Sequence, residues 1–266
     1  ANGTALSYGV YVGIINYSSP YPSISEIARI NSFENYGNIT ATATGGSARA
    51  YGVLAGNIGN FTNTQTITAT ANTTGSGYTW ASGVYAGSIG NFTNSGDITA
   101  NATATGGGAV AFGVLAGNIG NFTNIGNITA TASASGNTWA FGVYAGSIGN
   151  FTNSGDIIST AATVTGGNSV AAGVHAWQTI GNFTNSGSIT ATANASNGEA
   201  DAVGVLAGWP EDISPVTGNI GNFTNEKEIN VSAYSSNGRA NAFGVWAFNG
   251  TIDDFKNYGN IQVYAQ

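Results

Sequence analysis

Apolar and polar positions recur along the whole chain in a unit of about thirty residues, a period typical of solenoid proteins. Each unit reads G-V-x-A-G, then I-G-N-F-T-N-x-G-x-I-T-A-x-A, and ends in a link rich in Gly, Ser, Thr and Asn. Each of the eight units carries one phenylalanine at its centre: Phe33, Phe61, Phe92, Phe122, Phe151, Phe183, Phe223 and Phe255. Such units bury their apolar faces by stacking on one another, so the repeat predicts one elongated body.

Each unit contains three short extended pieces that are separated by turn residues. The first is G-V-x-A-G, the second is I-G-N-F-T-N and the third is I-T-A-T-A. The third piece alternates strictly between apolar and polar residues, as from Ile128 to Ala132, which is typical of a β-strand. Parallel β crossovers wind in the right-handed sense. The sequence therefore predicts an all-β fold, a right-handed parallel β-helix (β-solenoid) with three strands per coil and about eight coils. We expect a single domain over residues 1–266, with corner insertions at about 14–30 and 209–218 and a short helix at residues 23–30.

The alternation also predicts which side chains form the core. In the third piece Ile39, Ala41 and Ala43 are expected to face inward, and Thr40 and Thr42 outward. Phe and Ile of the second piece, and Val and Ala of the first, complete the interior. Small Ala inside and β-branched Thr outside suit a narrow, flat sheet.

An asparagine stands two residues after every phenylalanine, and this column is the most specific signal in the sequence. Its members are Asn35, Asn63, Asn94, Asn124, Asn153, Asn185, Asn225 and Asn257. Stacked Asn side chains can hydrogen-bond to their neighbours above and below as an amide ladder. A glycine follows two residues later in most units, as at Gly96, where we expect positive φ. A row of ligand-binding side chains is the alternative interpretation.

A second column follows each Gly-Val pair and consists mainly of large apolar side chains. If Val and the next Ala point inward, this column points outward as an exposed stripe of the kind that marks an interface. Tyr11, Tyr85, Tyr144 and Trp246 are then candidate interface residues. The alternative is that the glycine changes the local alternation and buries the column. His175, the single histidine, lies in this column and is interpreted as a packing residue.

Ionisable residues are scarce and are concentrated near the two ends of the chain. Asp, Glu, Lys and Arg make up 6% of the 266 residues, the formal net charge is −7 and cysteine is absent. Five basic residues argue against nucleic acid as a partner, and no apolar run approaches the length of a membrane span. Without cysteine the chain forms neither disulfides nor thiolate metal sites.

The chain offers poor candidates for catalysis or metal binding. Between residues 50 and 198, Asp97 and Asp156 are the only carboxylates, and they occupy equivalent positions two units apart. Their expected separation of about 10 Å is near that of an inverting glycosidase, but no basic, aromatic or amide cluster recurs around them. Asp253 and Asp254 are adjacent and point to opposite faces of a strand. We therefore expect no catalytic, metal or cofactor-binding residues, and no enzyme.

The motif N-S-G-x-I at residues 94–98 and 153–157, with G-V-Y-A before it, resembles the β-helical repeats of autotransporter passengers and related adhesin-type surface proteins of bacteria or archaea. The resemblance covers nearly the whole chain, but each motif is short and transfers no functional residues. It implies an exported β-helix, extracellular or at the cell surface, after removal of a signal peptide.

Many N-x-S/T sequons are present, and Asn72, Asn101 and Asn194 are candidate glycosylation sites in a host that glycosylates. Sequons of the N-F-T type would stack at about 4.8 Å, which is too close for a glycan on every coil. The alternative is an Asn-rich β surface without glycans.

The leading functional hypothesis is a structural subunit of an extracellular or cell-surface filament, formed by end-to-end stacking of solenoids. Open β-helix ends expose backbone groups that template association, so the expected partner is a second copy in a head-to-tail polymer. One alternative is a monomeric surface adhesin or glycan-binding β-helix that contacts glycans or other cell-surface components. Another is an ice-binding protein that uses the Thr-x-Thr face. That face is interrupted at Asn101, Ile158, Asn230 and Gln262.

Overall fold

The computed structural model of the protein describes residues 3–13, 15–16, 23–24, 28–208 and 216–266. These residues form an all-β parallel β-solenoid, and no helix is present among them. The strands are β1 (Thr4–Val12), β2 (Ile15–Asn16), β3 (Ser23–Ile24), β4 (Arg29–Asn35), β5 (Ile39–Gly45), β6 (Ser47–Asn63), β7 (Ile67–Thr73), β8 (Thr79–Asn94), β9 (Ile98–Ala104), β10 (Ala109–Asn124), β11 (Ile128–Ala134), β12 (Thr138–Asn153), β13 (Ile157–Thr163), β14 (Ser169–Ala176), β15 (Thr179–Asn185), β16 (Ile189–Ala195), β17 (Ala200–Ala207), β18 (Asn219–Asn225), β19 (Glu228–Ser235), β20 (Ala240–Ala247), β21 (Ile252–Asn257) and β22 (Asn260–Ala265).

Two parallel sheets form the body of the solenoid. The smaller sheet has eight strands, one from each unit, in the order β22-β19-β16-β13-β11-β9-β7-β5. Seven steps separate its outermost strands, so the described chain makes about seven turns. The larger sheet has twelve strands, because the first and second pieces of a unit form one continuous strand in β6, β8, β10 and β12 and two separate strands in the first coil and in the last three coils.

Each repeat position lies beside the same position of the next coil. In the larger sheet Phe92 pairs with Phe122, and Phe122 with Phe151. The rings of Phe92 and Phe122 stack with their centroids 4.7 Å apart and nearly parallel. The spacing of the rings is therefore set by the spacing of neighbouring strands.

The interior contains the side chains that the repeat pattern predicts. Phe92, Ile98 and Val84 are fully buried in one continuous core together with Ala41 and Ala43 of the third piece. The outward partners Thr40 and Thr42 are exposed. The predicted inward and outward faces of the third piece are thus confirmed.

The prediction that the column after Gly-Val lies exposed on the surface is wrong for Leu54, His175 and Leu206, which are buried. Tyr85 and Tyr144 are half-buried and pack against a second apolar cluster outside the main core, and Trp246 packs there too. Only Tyr11, in the first coil, is more than one-third exposed among the four aromatic members. The candidate interface therefore consists for the most part of packed side chains.

The glycine of each Gly-Val pair causes the burial of this column, as the alternative interpretation predicted. A Cβ on Gly83 would lie 2.3 Å from Cγ2 of Ile98, so this position faces the core, and the next residue, Val84, is in the core as well. The alternation is therefore interrupted at Gly83. As a result Trp80 and Tyr85, on either side of it, reach the same outer cluster, with ring centroids 6.5 Å apart.

Two further expectations are corrected by the structure. Gly96 does not have positive φ; instead a Cβ there would lie 2.1 Å from the carbonyl oxygen of Gln65, so glycine permits close stacking of the corners. The expected helix at 23–30 is wrong for its described residues, since β3 pairs antiparallel with β2 and Arg29 begins β4. Much of the two predicted insertions, residues 14, 17–22, 25–27 and 209–215, lies outside the described residues.

Candidate functional site: amide ladders and the edges of the end coils

The predicted asparagine column forms a continuous chain of side-chain hydrogen bonds. Nδ2 of Asn94 donates to Oδ1 of Asn124 at 2.8 Å and to the carbonyl oxygen of Gly96 at 2.7 Å. The hydrogen bond to the carbonyl oxygen of Gly96 distinguishes Nδ2 of Asn94 from Oδ1, because only the NH₂ group can donate to a carbonyl. The same donation, from each coil to the next, runs from Asn35 to Asn257. We call this column the buried ladder; its six inner members are fully buried.

A second, exposed ladder consists of the asparagines of the N-F-T sequons: Asn60, Asn91, Asn121, Asn150, Asn182 and Asn222. Its direction is opposite, because Nδ2 of Asn91 donates back to Oδ1 of Asn60 at 2.8 Å. The same column continues to Ser32 in the first coil and to Asp254 in the last. Only the buried ladder therefore has asparagine in both end coils.

The three candidate glycosylation residues lie apart on the outer face of the smaller sheet. Asn72 pairs with Thr103 in the neighbouring strand, and Asn194 pairs with Tyr234. Asn101 lies in another column, beside Thr131. All three are half-buried among neighbouring outward side chains. The structure does not bring them together, and their glycosylation stays a prediction.

The end coils present sheet edges at which the core columns emerge. Among the described residues, β1, β4 and β5 each have one neighbour at one end of the solenoid, and β20, β21 and β22 each have one at the other. Phe255 of β21 is 47% exposed, whereas Phe223, one coil earlier in the same column, is fully buried. As far as the described strands show, these edges therefore expose apolar side chains together with strand backbone that has no neighbouring strand on one side.

One outward column carries opposite charges at its two ends. Glu34 of β4 pairs with Thr62, and Lys256 of β21 pairs with Thr224. Every position between them is threonine: Thr62, Thr93, Thr123, Thr152, Thr184 and Thr224. Lys256 forms an ion pair with Asp254 on its own strand, and this contact raises the pKa of Lys256. Within this column, acid and base thus lie at opposite edges of the solenoid.

A tyrosine stands in each end coil at the corner that follows the buried ladder. Tyr36 is 69% exposed and Tyr258 is 72% exposed. The amide of Tyr258 donates to the carbonyl of Asn225, as equivalent residues do in every inner coil. Tyr36 donates its hydroxyl to Glu34 at 3.0 Å, and the carboxylate raises the pKa of Tyr36. The inner members of this column are Thr64, Ser95, Ile125, Ser154, Ser186 and Glu226.

The remaining candidate polar residues have structural contacts. Asp97 accepts a hydrogen bond from the amide of Asn127 at 3.1 Å, and Asp156 accepts one from the amide of Ser188 at 3.3 Å. His175 is fully buried, with Nε2 3.1 Å from the carbonyl oxygen of Gly208, and burial lowers its pKa to about 4. In the described part of the chain no three His, Asp or Glu side chains are grouped as a metal site.

Comparisons with known protein families, with curated proteins and with solved structures give no match. Across the described ranges, no helix has the length and apolar character needed to cross a membrane. Any indication of function therefore lies in the residues of this chain itself.

Four residues at the edges, Glu34, Tyr36, Lys256 and Tyr258, were not singled out by the sequence analysis. The signal for them in the sequence is a departure from the repeat, not the repeat itself. Glu34 and Lys256 replace the threonine of the inner coils, and Tyr36 and Tyr258 are the aromatic members of a column that has none in the inner coils. A comparison of the first and last units, position by position, would have found them.

Proposed function

We propose that this protein is a structural subunit of an extracellular or cell-surface filament in which solenoids stack end to end. The observation that carries the proposal is the direction of the buried ladder. Asn257 Nδ2 donates one of its two N–H groups to the carbonyl of Gly259. Its second N–H corresponds to the one that each inner member, such as Asn225, donates to the asparagine of the next coil. At the other edge Asn35 offers Oδ1, which accepts a long hydrogen bond from the amide of Gly37.

This direction makes the two edges complementary. In a head-to-tail stack, the second N–H of Asn257 meets Oδ1 of Asn35 in the next copy. In a tail-to-tail contact two amide donors would face each other, and in a head-to-head contact two carbonyl acceptors would do so. A head-to-tail contact that does not close into a ring produces an open fibre.

Apolar side chains at the edges favour the same arrangement. Phe255 of one copy continues the ring stack at Phe33 of the next, as Phe223 and Phe255 do within the chain at 4.9 Å. Val263 of β22 is exposed and belongs to the same core column as Ala41 of β5. In the stack, Val263 of one copy therefore lies next to Ala41 of the next copy. Stacking then buries apolar surface and pairs the open backbone of both edges.

The proposed subunit is one domain and a right-handed solenoid of eight coils with three strands each. Its height is about 38 Å at about 4.8 Å per coil. The resemblance to autotransporter passengers and adhesin-type surface repeats supports an exported location, where glycans or other surface components are further partners. We propose no enzymatic activity, no cofactor and no nucleic-acid partner.

The test is assembly of the purified chain, followed by negative-stain microscopy and light scattering at increasing concentration. We expect fibres with an axial repeat of about 38 Å. Val263→Lys places a charge on the edge and should prevent them, whereas Tyr234→Lys, on the outer face of β19, should not. A chain that stays monomeric at high concentration, in samples without fibres, contradicts the proposal.

A second candidate, ice binding, is favoured by one observation on the smaller sheet. Thr40, Thr68, Thr99 and Thr129 lie side by side on successive strands of its outer face. The row is interrupted at Ile158, which limits its length. Thermal hysteresis at micromolar concentration that is abolished by Thr131→Tyr would support this function. Retention of monomer on a glycan array would instead support the adhesin alternative.

A further inference from the structure

We infer that the joint between two copies has one fixed register, in which Lys256 of one copy pairs with Glu34 of the next and Tyr258 stacks on Tyr36. This inference rests on the proposed function, because it specifies the partner surface of that head-to-tail contact. The partner is a second copy of this chain. The residues that fix the register belong to the two edge strands β21 and β4 and to the corners that follow them.

The charge pair follows from the in-register pairing of the whole solenoid. Positions of one column lie one strand spacing apart, about 4.8 Å. When β21 continues onto β4 in the same register, Lys256 is the direct neighbour of Glu34. Both side chains are exposed, and their charges are opposite. The intervening threonines carry no charge, so this column holds ionised groups only where two copies meet.

The tyrosine pair is an independent indication of the same register. Tyr36 and Tyr258 occupy one column, and no inner member of that column is aromatic. Two rings that are largely exposed in the single chain become neighbours at strand spacing when the copies join. Ring separations of 4.7 to 4.9 Å along the phenylalanine column show that this spacing accommodates stacked rings.

Other registers lose these matches together. A shift by one residue exchanges the inward and outward faces of the whole strand. A shift by two residues keeps the faces, but it places Lys256 beside Ser32 or Tyr36. It also moves Asn257 away from Asn35, so the buried ladder is interrupted. Charge, ring and amide therefore all select the same alignment.

Charge reversal tests the pairing. Glu34→Lys sets two lysines side by side at the joint, and Lys256→Glu sets two glutamates there. Each single variant should raise the critical concentration for fibre formation about tenfold or more, because like charges directly opposed are strongly unfavourable. The double variant, Glu34→Lys with Lys256→Glu, should restore it. Lys227→Glu, which changes an exposed charge one coil away from the edge, is the matched control.

A cross-link gives a second measurement that does not depend on stability. Tyr36 and Tyr258 are at opposite ends of one solenoid, so a dityrosine that joins them comes from two copies. Photo-oxidation of assembled fibres should yield this cross-linked peptide, detected by mass spectrometry, and Tyr258→Phe should abolish it while fibres persist.

The outcomes separate the inference from the proposed function. If the single charge variants assemble like the parent and the fibres contain no 36–258 cross-link, the inferred register is wrong and the filament proposal stands. Absence of fibres from the parent chain would overturn both. Restoration by the double variant, together with the cross-link, supports both.

Discussion

Nδ2 of Asn94 donates to Oδ1 of Asn124 at 2.8 Å in the interior, and three residues earlier Asn121 donates to Asn91 at the same distance on the surface. The two bonds have the same chemistry and lie in the same pair of coils. They differ in burial, because Asn94 and Asn124 are fully buried while Asn91 and Asn121 are exposed. The pair therefore compares a buried side-chain amide bond with an exposed one in the same two coils.

Asn124→Ala should lower the free energy of unfolding by about 3 kcal/mol, because an unmade hydrogen bond to a buried polar group is costly. The substitution leaves the buried amide of Asn94 without its acceptor, and Asn153 and Gly126 without their donor. Asn121→Ala should cost less than about 1 kcal/mol, since water replaces the lost partner. Chemical denaturation of both variants measures the difference, and equal losses would contradict the assigned role of burial.

Gly113→Ala should prevent native folding. A Cβ at this position would lie 2.3 Å from Cγ2 of Ile128 and 2.5 Å from the carbonyl oxygen of Gly142. The neighbouring backbone is fixed by the sheet and cannot move aside. Gly166→Ala, where nothing lies within 4 Å of the new Cβ, should change stability little. Soluble yield and circular dichroism would show the contrast; a stable Gly113→Ala protein would refute it.

Ser159→Ala should raise the free energy of unfolding by about 1 kcal/mol. Ser159 is fully buried in a column that has alanine in the adjacent coils, and its Oγ has no hydrogen-bond partner. Burying an unpaired hydroxyl is unfavourable, and alanine removes that cost. Ser82→Ala is the control, because Oγ of Ser82 donates to the carbonyl of Val84 at 3.1 Å. That variant should be neutral or less stable in the same denaturant titration.

His175 should make stability depend on pH in mildly acidic solution. Its pKa is about 4 in the fold against an ordinary value of 6.5, so the unfolded chain binds the proton more tightly. The stability from the neutral imidazole is complete above pH 6.5 and is lost as the pH falls toward 4, by up to about 3 kcal/mol.

His175→Leu, which introduces the residue of the adjacent Leu206, should remove most of this pH dependence. Thermal unfolding of both proteins between pH 7 and pH 4 would measure it (a window set by the two pKa values). Parallel loss of stability in the two proteins would show that other groups are responsible.

The repeat made the stacked fold predictable because a residue type that recurs at one position must serve the same environment in every coil. Alternation in the third piece sufficed to place Ala41 inside and Thr42 outside. The recurrence of Asn94 and Asn124 after a buried phenylalanine likewise pointed to a ladder. These inferences needed only strand periodicity and parallel, in-register pairing.

The outer apolar cluster could not be predicted from alternation alone. Gly83 lacks a side chain, so its residue type does not indicate whether the position faces inward or outward. The face on which Tyr85 lies depends on that orientation. The location of Glu34 and Lys256 in one column was available in the sequence. Its meaning depended on the pairing of β4 and β21 with their neighbours, which the structure supplied.

The opposite directions of the two ladders have a consequence for the field along the solenoid axis. Each side-chain amide carries a dipole of about 3.5 D if it resembles a peptide group. In coils where both ladders are present, the dipole of Asn124 points one way along the axis and that of Asn121 points the other, so the pair largely cancels. Unlike an α-helix, a longer stack accumulates little axial dipole from these amides. The side-chain amides then act between copies only at contact range, and adding further subunits changes their contribution to the potential at the growing end very little.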